Sequence, residues 1–266
     1  MKMIILICLL LSINLYSRCD SKTYIPKRAI ENVDTLYMEV DETMSDLNEY
    51  IPSYYFPALI EHESCVQLCG TGYWARRCWN PISRLKTYWD KSKKINREEG
   101  AGLFQLTRAW RKNGTLRLDS IGALKRKYPK ELSELNWNNV YKRPDLQMKA
   151  GLLLWKANYK MLPKDIDSYN KMLMTDSIYN GGYKYFNRER KECGLRKDCN
   201  DKIWLNNIEN INKRGNRILY GKRTAYMINR HHVRDVIKRM PKYKKNYNAI
   251  VQCIDINNTN IYIRDR

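Results

Sequence analysis

The chain has 266 residues, a hydrophobic fraction of 43% and a formal net charge of +21. That is enough apolar material to pack the core of one large domain or two small ones. The charge points to polyanionic partners: nucleic acid, anionic membrane, or the acidic polymers and carboxylates of a bacterial wall. No zinc-finger spacing, RNA-recognition signature or basic zipper accompanies it, so nucleic-acid binding is set aside. With 20 Tyr and seven Trp against three Phe, the aromatic side chains lean towards rings with a polar handle. Such rings suit a wet cleft, and they also suit the edge of a core.

In chain order, Lys2 precedes a largely apolar run of thirteen residues from Met3 to Leu15, and Ser17-Arg18-Cys19 follows. The run is short for a permanent membrane helix and matches the apolar region of a secretory signal, so 1–19 reads as a signal peptide with a start near Asp20, an uncleaved anchor being the alternative. No stable membrane span is expected after that cut. Residues 20–49 read as an N-terminal arm or irregular helix leading into the domain. From Pro57 to Val66, apolar Ala58, Leu59, Ile60 and Val66 surround Glu61 and Glu63, with Pro57 near a helix start. Residues 67–99 carry cysteines, glycines and aromatics without a clear period.

After Gln105 the pattern reads as helical. Leu146, Ala150, Leu153, Leu154 and Ala157 recur at helical steps between Pro144 and Pro163. Lys222 to Met240 is a further helix candidate, with Tyr226, Val233, Val236 and Ile237 inward. Strand signals are weak, and Asn113-Gly114 reads as sitting in helical surroundings. Residues 246–266 form a C-terminal tail.

Without Cys8 and Cys19, six cysteines remain: Cys65, Cys69, Cys78, Cys193, Cys199 and Cys253. In an exported chain they point to disulfides, with fifteen pairings open. Cys193 and Cys199 are expected to pair, because five intervening residues close a small loop. A metal site of Cys65, Cys69 and Cys78 beside His62 is the competing use, but the spacing follows no familiar zinc pattern. No Ser-His-Asp spacing, Walker loop or second metalloprotease His is present, and no cofactor is implied.

Three pieces make most sense if they meet in space: Glu63-Ser64, Gly100-Ala101-Gly102-Leu103-Phe104-Gln105, and Tyr179-Asn180-Gly181-Gly182. A carboxylic acid among apolar neighbours can protonate a glycosidic oxygen. Glycine permits close backbone approach, and Asn offers both polarities to an acetamido group. With Tyr226 as a fourth piece, the ordered set over roughly residues 50–245 resembles the soluble lytic transglycosylases, the goose-lysozyme-like enzymes that cut peptidoglycan glycan. No acidic residue precedes Tyr226 in Tyr220-Gly221-Lys222-Arg223, a departure from that pattern.

The resemblance implies a mostly α, lysozyme-like domain at 50–245, with residues 67–99 as a disulfide-braced insertion loop over the cleft. It implies Glu63 as the catalytic acid, and Ser64, Gln105, Tyr179, Asn180 and Tyr226 as substrate contacts. The partners would be peptidoglycan glycan strands and anionic wall polymers. The site of action would be periplasmic or extracellular, or the virion for a viral member. Simple hydrolysis at the same site is the first alternative, and an inactive wall-binding module is the second. Glu61, roughly 200° round the helix from Glu63, is its rival. Glu99 is the candidate second acid of a two-carboxylate hydrolase.

Overall fold

The structure is a computed structural model. It describes residues 33–257 apart from 48, 65, 70–71, 76–83, 86–97, 112, 217 and 221. The expected signal, its cleavage site and the cysteines Cys65 and Cys78 lie outside the described residues, as do the side chains of Cys69 and Cys253. The described chain is mostly helical with a small sheet.

Helix α1 (Val33–Met44) opens it, and α2 (Tyr55–Ser64) follows. The arm expected before residue 50 therefore contributes a core helix, whose Leu36, Tyr37, Val40 and Met44 are buried. Helix α2 buries an unbroken run from Tyr55 to Ile60, so it lies inside the molecule rather than along its surface.

Two strands, β1 (Val66–Cys69) and β2 (Gly72–Ala75), form an antiparallel hairpin directly after α2. A four-stranded antiparallel sheet joins β3 (Arg84–Leu85), β4 (Glu98–Ala101), β5 (Leu106–Trp110) and β6 (Leu116–Asp119) in that order. Here the helical reading after Gln105 is corrected. Asn113-Gly114 belongs to the β5–β6 turn, where Gly114 takes φ +83° and Arg111 N–H donates to Thr115 O at 2.8 Å. An Asn-Gly pair is strong hairpin chemistry, and it prevails over the weak alternation of the flanking residues.

Helix α3 (Ser120–Lys127) is capped by Asp119, which accepts from Gly122 N–H at 2.9 Å. Helix α4 (Pro144–Tyr159) starts with proline at its first position. Helix α5 (Ser168–Gly181) is capped by Asp167 and buries every residue from Lys171 to Ile178. Gly182 stops it at φ +81°, its N–H donating to Ile178 O at 2.7 Å. Helix α6 (Tyr183–Gly194) leads to the Cys193–Cys199 disulfide, as its spacing suggested. A two-stranded ribbon, β7 (Ile218–Tyr220) and β8 (Arg223–Thr224), precedes the long α7 (Ala225–Asn257), which extends well into the expected tail. Among the described residues no helix is long and apolar enough to cross a membrane.

The apolar residues form two cores. The larger gathers side chains of all the helices but α3, and the smaller lies under the sheet around Leu106, Ile121, Leu132 and Val140. Helix α4 divides them, sending Leu152 and Trp155 into the first and Ala150 and Leu153 into the second. The turn between β4 and β5 crosses this divide and drives Leu103 and Phe104 into the larger core. Room for the Phe104 ring exists because α4 has Gly151 there: a Cβ would fall 2.1 Å from Phe104 Cγ. Gly151→Ala gains helix propensity and overpacks this contact. The expected net effect is destabilisation by about 1–3 kcal/mol, read as a lower midpoint of chemical unfolding.

Candidate functional site

Glu63 sits in the last turn of α2, its side chain 15% exposed, with Oε1 2.7 Å from His232 Nε2 on α7. The other ring nitrogen, Nδ1, lies 3.2 Å from Oδ2 of Asp176 on α5. Tyr55 of α2 donates to the remaining Asp176 oxygen at 2.7 Å, and Trp155 Nε1–H of α4 donates to Tyr55 Oη at 3.1 Å. A continuous chain of polar groups thus runs from the core to a partly open carboxylate. Tyr55, Trp155, Asp176 and His232 are all buried.

The charges in this chain are coupled. Burial alone would keep His232 neutral, but Asp176 and Glu63 outweigh it and push the ring up to about 10. His62, edge-on to His232 at 4.3 Å between ring centres, is driven the other way: burial, then the His232 charge, push it down to about 4. Tyr55 is held well above the usual phenol range by burial and by Asp176.

Tyr179 joins two of the sequence-derived pieces and lies near the Glu63 charge. Tyr179, on the same helix as Asp176, donates to Phe104 O at 2.5 Å and so ties α5 to the turn after Gly102. Burial, then the nearby Glu63 and Asp176 charges, raise its phenol well above the ordinary value. Its single hydroxyl proton goes to the Phe104 carbonyl and not to Glu63. Ser64 is buried, its hydroxyl returning to Ile60 O at 2.7 Å.

Gln105 adopts φ +48°, and its amide folds back to Gly102 O at 2.7 Å. The glycines of this turn make room for glutamines: a Cβ on Gly100 would meet Gln105 Oε1 at 2.5 Å, and one on Gly102 would meet Gln147 Oε1 at 2.3 Å. Gln147, fully buried, accepts from Leu103 N–H at 2.9 Å and donates to Val140 O, fixing the turn onto α4.

Asn180 is exposed, its carbonyl accepting from Asn229 Nδ2 at 3.1 Å. Tyr226 lies further off in function. Its hydroxyl donates to Glu209 O at 2.9 Å, and its ring lies under the Arg230 guanidinium. Six residues separate Tyr226 from His232, which on a helix turns the two side chains to different faces.

Two rival carboxylates have other employment. Glu61 accepts from Lys242 at 2.8 Å and from Tyr243 at 2.5 Å. Glu99 is buried and holds Arg108 at 2.8 Å, while Arg108 stacks between Trp110 and Trp137. Among the described residues no group of three or more His, Cys, Asp or Glu is arranged to hold a metal ion.

The sequence reading missed His232, Asp176, Tyr55 and Gln147. One signal was available for Asp176. It stands in the stretch Met172-Leu173-Met174-Thr175-Asp176-Ser177-Ile178, and an aspartate inside an apolar helix must have a partner. No protein-family model matches this chain, and no curated protein matches it.

Stability should therefore be greatest near the ordinary histidine value of 6.5. His62 is depressed when folded, so its contribution is present above 6.5 and lost as pH falls towards 4. His232 is raised when folded, so its contribution is complete below 6.5 and lost as pH rises towards 10. Urea midpoints across that range test this. In His232→Gln the decline on the alkaline side should be shallower than in the wild type.

Proposed function

We propose that the protein is an exported peptidoglycan lytic transglycosylase with a lysozyme-like catalytic domain, cleaving the β-1,4 bond between N-acetylmuramic acid and N-acetylglucosamine. The observation that carries this reading is one partly open carboxylate, Glu63, backed by a sealed Tyr–Asp–His chain and near Tyr179, which is itself bonded to the Gly102–Gln105 turn.

In this reading Glu63 protonates the glycosidic oxygen, and the C1–O bond breaks with its electron pair going to that oxygen. The muramyl 6-hydroxyl oxygen then bonds to C1, and its proton returns to Glu63. The product is a 1,6-anhydro end, and no water is consumed. Glu99 is engaged with Arg108 and Asp176 with Tyr55 and His232, so neither is offered as a second acid to activate water. That favours the substrate's own hydroxyl as nucleophile over two-carboxylate hydrolysis.

Exposed Asn180, at the end of α5, is suited to meet an acetamido group. The net charge of +21 suits retention on anionic wall polymers. Ser64 and Gln105 act in this reading by shaping the walls of the site, since each is bonded to main chain, while Tyr226 acts from a distance by anchoring α7 to Glu209 O.

Purified sacculi digested by the full chain should release anhydro-muropeptides, identified by mass. Glu63→Gln should reduce the rate by about 10²–10⁴-fold, the usual worth of a general acid, with the fold retained. Reducing ends, heavier by one water, would make the protein a lysozyme. Full activity in Glu63→Gln, or none in the wild type, would overturn the assignment.

A further inference from the structure

We propose that His232, anchored by Asp176, is a positioning residue that grips Glu63 by one carboxylate oxygen and donates an N–H to the carboxylate formed when Glu63 gives up its proton. This rests on the transglycosylase reading and adds to it a device that its motifs do not contain.

The direction of each hydrogen bond follows from the inventory of donors. Trp155 can only donate, so Tyr55 accepts there and turns its own proton to Asp176. Asp176, receiving that proton at Oδ1, accepts at Oδ2 as well, so Nδ1 of His232 carries a hydrogen. Nε2 then faces Glu63 Oε1 at 2.7 Å as a donor when the ring is an imidazolium.

The groups facing the ring favour that state. Asp176 approaches from α5 and Glu63 and His62 from α2, Tyr179 of α5 lies near the two carboxyl groups, and Arg239 of α7 acts on the neighbouring His62. The Asp176 carboxylate meets the cation, Glu63 adds a second negative charge once it has given up its proton, and the phenols and His62 stay neutral at ordinary pH.

With Oε1 taken by Nε2–H, the proton Glu63 delivers sits on Oε2. When it passes to the leaving oxygen, the new negative charge already has a charge-assisted donor in place, and no group need reorganise. The proton of the attacking 6-hydroxyl then returns to Oε2. His232 and Asp176 keep their protonation throughout, so the balance of the reaction is untouched.

The test uses the full chain, with sacculi as substrate and ¹⁵N NMR of the histidine side chains. His232→Gln should lose about 10–100-fold in kcat, the worth of one hydrogen bond to a charged group. KM should stay within about twofold, as expected when an interaction is made only in the transition state. The fall in wild-type activity as His232 loses its proton towards pH 10 should be missing from the variant. NMR of the wild type should show His232 protonated on both nitrogens at neutral pH, with Nε2 shifting in Glu63→Gln.

A folded His232→Gln with wild-type kcat and pH profile would overturn the proposal. So would a neutral His232 ring at neutral pH, a result that needs no variant to fold. A wild type inert on sacculi would instead remove the transglycosylase reading on which the proposal stands, whatever the NMR shows.

Discussion

An aspartate buried in the middle of α5 is the constraint from which the site is built. A lone carboxylate in an apolar interior costs several kcal/mol, so Asp176 is tolerable only with its lone pairs filled. Tyr55 from α2 and His232 from α7 fill them. Three helices are thereby locked in rotation as well as in position. Glu63 shares a helix with Tyr55 and meets the far side of His232, so the geometry that satisfies Asp176 also aims the partly open carboxylate.

Helix α4 supplies the second fixed reference. Its Gln147 satisfies main-chain groups of the turn at 102–105 (Leu103 N–H) and of the segment before α4 (Val140 O), and its Gly151 admits the ring of Phe104. Phe104 in turn offers its carbonyl to Tyr179, one turn beyond Asp176 on α5. The turn, α4 and α5 therefore close a ring of contacts that includes Tyr179, the phenol on which the Glu63 charge acts.

How much of this is legible in the chain depends on the range of the interaction. Helix α4 is plain from Pro144 and the spacing of its leucines, and Cys193–Cys199 from loop closure, because both are local. The motif pieces announce themselves by residue type and order. Strands β5 and β6 are short, and Arg108 and Thr107 blur their alternation, so Asn113-Gly114 was the better guide. Helix α1 looked like an arm because a half-polar segment hides four core residues among acids. His232 stands in Arg230-His231-His232-Val233-Arg234, where composition suggests a solvated face. Only the packing of α7 shows which of the adjacent histidines turns inward.

That choice is made by polar contacts along α7 itself. Tyr226, Arg230 and Arg234, spaced four apart, form one stripe that engages Glu209 and its main-chain neighbours. Arg230 also reaches Glu189, a buried carboxylate shared with Arg214. Asn229 and His232, three apart, form the neighbouring stripe, which meets α5 through Ser177, Asn180 and Asp176. With both stripes occupied, the helix cannot rotate to present His231 instead. Tyr226 thus earns its place at a distance from Glu63, by holding the helix that carries His232.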